Sequence, residues 1–315
     1  LRIAPRWAGL ALVAACGPGA GDPGRPAAPR RPAAEQDPRP VEVAADDGGF
    51  RRMPPPRPGE WLHRFPERGR TFEQYRRSRP VRAVPGRDVL AFLPVGDFTE
   101  AGRAVMRATI DFAGIWLDLP TRVLEGEALP GDGWRRRRRF PWAERPVFQH
   151  GTGYFLRDLL PPRRPDDAAC LMGVTMADLY PEPSWNYVFG QASLRRRVGI
   201  YSIARHFASF WGKRETDATR LHALRRSCKL VTHEAGHTFG LQHCVDYECN
   251  MNGSNSLEES DRRPLRLCPP CLRKLQWNRG FDVRARYRRL LAFYRGHGLG
   301  PEARWTAARL LRTAH

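Results

Sequence analysis

Lysine is almost missing from this chain of 315 residues: only Lys213, Lys229 and Lys274 occur, so 50 of its 53 basic residues are arginine. A formal net charge of +20 would ordinarily point to a polyanionic partner, either nucleic acid or an anionic membrane surface. The heavy use of Ala, Pro and Gly beside Arg reads instead as the bias of a GC-rich coding sequence, and specific nucleic-acid recognition is not favoured. No internal repeat is visible. The apolar run Ala8 to Ala15 is far too short to span a bilayer as a helix. Nor are the seven cysteines spread like the disulfide framework of a small secreted fold, because Cys244, Cys249, Cys268 and Cys271 fall within 28 positions of one another. The length is enough for one or two domains with a sizeable core, so size alone does not force a metal on the chain.

At the N-terminus, Arg2 and Arg6 precede the short apolar run, and Val13, Ala14 and Ala15 precede Cys16. That pattern resembles a bacterial lipoprotein signal over residues 1–16 and predicts export to the cell envelope, rather than a cytoplasmic location, with a lipid anchor at Cys16. Residues 17–58 are rich in Pro, Gly, Ala and Arg and poor in large apolar side chains, which predicts a disordered tether. Residues 59–86 carry aromatics at mixed spacing and are expected to form a helix or an N-terminal cover. The compact domain is placed at 87–300, followed by a C-terminal helix over 301–315.

Within that domain the run 88–98 is a continuous apolar stretch closed by turn residues, as a buried strand requires. Thr99 then offers an N-cap, and Val105, Met106, Ile110, Phe112 and Ile115 recur at helical spacing before Pro120. A second strand is expected at 121–129, and further strands at 168–180 and 188–203, with a loop at 181–186. The five arginines Arg135 to Arg139, between Trp134 and Phe140, are read as a solvated loop. A long helix is expected over 215–241, because Leu221, Leu224, Cys228, Val231 and Ala235 recur every three or four residues. One more is expected near 282–295. The order of elements predicts an α/β (α+β) fold, a mixed sheet packed on helices.

The chemistry concentrates at one end of the long helix. His233 and His237 stand four apart, which puts both imidazoles on one helix face at a separation suited to one zinc ion. Glu234 between them can take a proton from the attacking water. Gly240, three residues past His237, can adopt the left-handed conformation that ends a helix, and the turn lets His243 come back to the metal. Three neutral imidazoles leave a fourth position open, the donor set of a catalytic zinc rather than a structural one.

Cys244, immediately after His243, begins C-x4-C-x18-C-x2-C with Cys249, Cys268 and Cys271. Four thiolates predict a closed tetrahedral zinc site, which is structural because no position is left for substrate. A redox dithiol is the rival for an isolated C-x2-C, and the partnered Cys244 and Cys249 argue against it. Cys16, Cys170 and Cys228 lack such spacing and are not assigned to metal.

Together, H-E-x-x-H-x-x-G-x-x-H-C-x4-C over 233–249, Met251 and the later C-x2-C resemble the archaemetzincin family of metzincin metallopeptidases. The resemblance is closest over 228–277 and looser over 89–206. It implies a metzincin-like sheet with an active-site helix and a C-terminal four-cysteine knuckle. It further implies two zinc ions per chain, with His233, His237 and His243 on the catalytic one and Cys244, Cys249, Cys268 and Cys271 on the structural one. Glu234 would be the general base and Met251 the methionine of a turn beneath the metal. The expected activity is hydrolysis of peptide or protein substrates by a monomer, with an aminopeptidase-like action on small peptides. The reading from another class is a zinc-stabilised module that binds nucleic acid or an acidic protein without catalysis.

Overall fold

The computed structural model describes residues 49–144 and 146–312. The expected signal with Cys16, the tether up to residue 48 and the last three residues of the chain lie outside the described residues.

Two short helices, α1 (Trp61–Arg64) and α2 (Phe72–Arg77), precede strand β1 (Val89–Val95). Helix α3 (Glu100–Leu117) follows, its first turn capped by Thr99, whose hydroxyl accepts from Gly102 N at 3.0 Å, and β2 (Thr121–Val123) completes a β-α-β opening. Next come β3 (Arg135–Arg138), β4 (Val147–Gly151), a helical stretch bounded by α4 (Thr152–Tyr154) and α5 (Leu160–Arg163), then β5 (Ala168–Thr175) and β6 (Asp178–Tyr180). A hairpin of β7 (Gly190–Ser193) and β8 (Val198–Ser202) leads to the long helix α6 (Asp217–Thr238). Four helices close the described chain: α7 (Leu257–Arg262), α8 (Pro269–Arg279), α9 (Val283–Gly296) and α10 (Gly300–Arg312).

The main sheet has the order β2-β1-β5-β8-β7, parallel throughout except for β7, which runs antiparallel to β8 at the edge. Side chains alternate across it, so Leu90, Phe92, Met172 and Tyr201 join the core formed with α3 and α6, while Ala91, Leu93, Leu171 and Ile200 pack on the opposite face with Phe155 and Leu160. Because β1 and β5 are covered on both faces, their sequences read as unbroken apolar runs. A second sheet of three strands has the order β3-β4-β6. This is the mixed α/β architecture that the sequence predicts, and α6 lies across the sheet with its C-terminal end beside β7.

Four expectations require correction. The tether does not extend to residue 58, because Phe50 is buried against Trp305 with ring centroids 5.3 Å apart. The chain around it also pairs with the cysteine loop, Met53 N donating to Asp246 O and Glu248 N to Arg51 O. Arg87 is likewise no boundary of the folded body: Tyr75 is wholly buried, its hydroxyl donating to Phe239 O at 2.8 Å at the end of α6, so residues 59–86 cover the site as an integral layer. Finally, Arg135 to Arg138 form β3 rather than a solvated loop. Arg136 reaches inward to Gln149 Oε1 at 2.8 Å and over the Tyr180 ring, contacts that compensate for the partial burial of its guanidinium. Strand 188–203 resolves into two, because Arg197 at φ 56° turns the chain between β7 and β8.

Candidate metal centres and active site

Helix α6 carries His233, Glu234 and His237 in its last two turns and then stops. Gly240 sits at φ 82°, where a side chain would both strain the backbone and come within 2.7 Å of Pro80 Cβ. The turn brings His243 back so that its ring centroid lies 5.3 Å from that of His233 and 5.1 Å from that of His237. All three rings are buried.

Each Nδ1 has an acceptor of its own. His233 Nδ1 lies 2.9 Å from Asn250 O, His237 Nδ1 2.7 Å from Leu241 O, and His243 Nδ1 2.9 Å from the Glu67 carboxylate. Carbonyls and carboxylates can only accept here, so each Nδ1 carries the proton and each Nε2 is left with a lone pair. The Nε2 atoms of His233 and His237 nevertheless face each other at 3.0 Å, and His243 Nε2 is buried without a partner. Lone pairs held at that distance repel unless a cation lies between them. Burial, reinforced by His243, depresses the His237 pKa to about 3, and burial and His237 lower that of His233 well below the ordinary value. The rings are therefore kept neutral, the form in which imidazole binds a metal.

Glu234 lies on the adjacent face of α6, buried, with Oε1 unpartnered. Burial alone raises its pKa to about 8. Edge strand β7 passes directly over it: a Cβ added to Gly190 would stand 2.8 Å from Glu234 Cγ, so only glycine lets the strand approach this closely. Beneath the site Met251 is fully buried and seats its sulfur 2.8 Å from where a side chain on Gly236 would begin.

The second group begins one residue later. The ligand atoms of Cys244, Cys249, Cys268 and Cys271 lie within 4.8 Å of one another, all four buried and none disulfide-bonded, with Cys244 Sγ 3.5 Å from Cys268 Sγ. Backbone N–H groups of Met251 and Cys268 point at Cys249 Sγ from 3.4 and 3.3 Å. Cys268 and Cys271 sit at the start of α8, whose positive end favours thiolate. Burial pushes the Cys249 thiol up, and the neighbouring Cys244 does the same to Cys271, so four thiolates would share this volume only around a cation. Cys170 and Cys228 lie in the core away from both groups.

Two positioning residues escaped the sequence reading. Glu67, from the N-terminal cover, also accepts from Trp61 Nε1 at 2.8 Å; burial alone would raise its pKa, but the hydrogen bonds from His243 and Trp61 outweigh that and lower it from its ordinary value. Asn250 supplies the carbonyl to His233 and anchors itself by donating from Nδ2 to Thr232 Oγ1 at 2.8 Å. The asparagines flanking Met251 were a usable signal; Glu67 offered none.

Residues 167–277 match the model of Peptidase family M54. Archaemetzincin-2 of Macaca fascicularis is 38% identical over 261 residues, covering 74% of this chain and 71% of that protein. The chain belongs to the archaemetzincin family. A second relative, archaemetzincin-2 of Rattus norvegicus, is 35% identical over 260 residues with the same coverage of both chains. Among solved structures, the archaemetzincin of Methanopyrus kandleri matches 61% of this chain and 96% of its own at 27% identity, with a TM-score of 0.47. The three histidines and the four cysteines all lie within the residues that the family model matches.

Proposed function

We propose that the chain is a zinc-dependent metallopeptidase acting on peptide or protein substrates, with a catalytic zinc at His233, His237 and His243 and a structural zinc at the four cysteines. The observation that carries this reading is the convergence of three buried, lone-pair-bearing imidazole nitrogens with an unpartnered carboxylate beside them. Three nitrogens leave a coordination position for substrate, whereas four sulfurs leave none. A zinc ion at the histidines would supply Lewis acidity toward the scissile carbonyl and toward water. Glu234 accepts the proton of the attacking water and delivers it to the leaving amine. Its burial and its place one residue after His233 suit a group that must both take and return a proton. Edge strand β7 offers its free backbone groups to an extended substrate by strand addition, and a groove of about 750 Å³ lined by Gln191, Ser193, Trp134 and Tyr180 continues from it.

Purified protein is expected to contain two zinc ions per chain, one removed readily by a chelator with loss of peptide cleavage and restored with it. A peptide-library profile then separates aminopeptidase-like trimming from internal cleavage. A chain that binds two zinc ions yet cleaves nothing, and instead binds DNA with steep salt dependence, would favour the binding-module reading.

Glu67 is proposed as the residue that orients His243. Glu67→Ala is expected to weaken metal binding at the histidine site by about 10–100-fold, the usual effect of losing such an outer partner. Competition against a chelator of known affinity measures it, and unchanged affinity would remove Glu67 from that role.

A further inference from the structure

Lys229, His233 and His237 recur at four-residue intervals on α6, so Lys229 stands one turn before the first imidazole on the same face. A cavity of about 30 Å³ opens there against His233, with Phe189, His206, Arg226, Lys229, Asn250 and Arg263 among its walls. Three cations line it and no carboxylate does. Two of the charges are already engaged: Arg226 pairs with Asp261, its Nε 2.9 Å from Oδ1, and Arg263 lies 3.7 Å from Glu259. Lys229 is different. It is 5% exposed, its Nζ donates to the Ser260 carbonyl, and among the described residues it forms no ion pair.

With one carbonyl partner, the ammonium form of Lys229 would have two donors unused and its desolvation uncompensated. Burial, with Arg225 adding to it, lowers the Lys229 pKa well below the ordinary value, and an arriving anion would favour the charged form. The space takes about two water-sized groups, which suits the two oxygens of a carboxylate but not a large side chain.

We infer that this pocket binds a carboxylate of the substrate through Lys229, giving the peptidase a preference for acid-bearing peptides. The inference rests on the site being that of a peptidase. The carboxylate can come from an Asp or Glu side chain flanking the cleaved bond or from the substrate's C-terminus, and the chemistry of recognition is the same.

The test uses peptides of one parent sequence in matched pairs: Glu against Gln at each position flanking the cleaved bond, and a free C-terminal acid against its amide. The zinc-loaded wild-type protein is expected to favour one acid member by at least about tenfold in kcat/KM, and which pair responds identifies the source. In Lys229→Met that ratio should fall to within about twofold. Equal rates within every pair, or a ratio that survives in Lys229→Met, would overturn the inference. Binding of the same pairs to zinc-loaded Glu234→Gln protein, read by fluorescence anisotropy, decides the pocket independently of turnover: at least tenfold tighter binding of the acid supports it, and equal Kd values refute it. Failure of every peptide to be cleaved above the Glu234→Gln background would count against the peptidase reading alone.

Discussion

Glu234→Gln is expected to lower kcat/KM for peptide hydrolysis by at least about 10³-fold, within the 10²–10⁴ range of a general acid–base group, while both zinc ions stay bound. Glutamine has nearly the shape of glutamate, so the close passage of Gly190 over residue 234 is preserved. What is lost is the ability to accept and return a proton. None of the three imidazoles should move, because they are oriented by Asn250, Leu241 and Glu67 rather than by Glu234. Stability should move in the opposite direction from activity. In the metal-free protein, burial raises the folded-state pKa of Glu234 to about 8 from an ordinary value of 4.5. A carboxyl with a raised folded pKa is fully compatible with folding below pH 4.5, and its cost grows by about 1.4 kcal/mol per pH unit as pH rises from there toward 8. A neutral amide avoids that cost, so the metal-free variant at pH 7 should have a Tm at or above that of the wild type. Persistent turnover would remove Glu234 from the proton-transfer role. A lower Tm would mean that the carboxylate makes a supporting contact instead.

The parts of this site that were legible in sequence are those fixed by local periodicity. Four-residue spacing on a helix decides that His233 and His237 share a face, and a glycine three residues later decides where the chain can turn. The cysteine spacing is readable for the same reason, since a C-x2-C at a helix start constrains both sulfurs locally. Contacts made over long sequence distances leave no such trace. Glu67 meets His243 across 176 residues, and in its own neighbourhood of Pro66, Arg68 and Arg70 it looks like an ordinary exposed acid. Phe50 is hidden in a stretch whose average composition predicts disorder, and the Trp305 and Arg309 side chains at the far end of the chain give it a place to bury. The arginine run misled in a related way: four consecutive charges argue against a strand, but Arg136 finds backbone carbonyls and an aromatic face that no local pattern reveals. Nothing local marks Lys229, because the cavity it lines is formed by residues from β7's approach, α6, the Met251 turn and α7.

Replacing both Cys268 and Cys271 by serine is expected to damage the histidine site, which neither residue touches. The coupling runs through the segment between Cys244 and Asn252. His243 precedes Cys244 directly, and Cys244 N donates to Met251 O at 2.8 Å. Asn250, whose carbonyl orients His233, follows Cys249 directly. Asn252 closes the loop by accepting from Cys249 N at 2.7 Å and donating from Nδ2 to the carbonyls of Cys244 and Tyr247. Two of the three imidazoles are thus aimed by backbone that the four sulfurs hold together. Structural zinc is worth about 10–16 kcal/mol in small zinc-binding peptides, as large as the whole stability of a typical domain, so losing two ligands should be felt beyond the knuckle. The double variant is expected to retain at most one zinc and to lose at least about 10 °C in Tm, taking roughly 2–4 °C per kcal/mol for a domain of this size. Below its own unfolding transition it should bind metal at the histidines at least about tenfold more weakly. Chelator competition gives the affinity, and cobalt substitution reports the geometry at the histidines through its visible spectrum. Full activity with an undiminished affinity at the histidine site would show that the two metal sites share a peptide bond without sharing support.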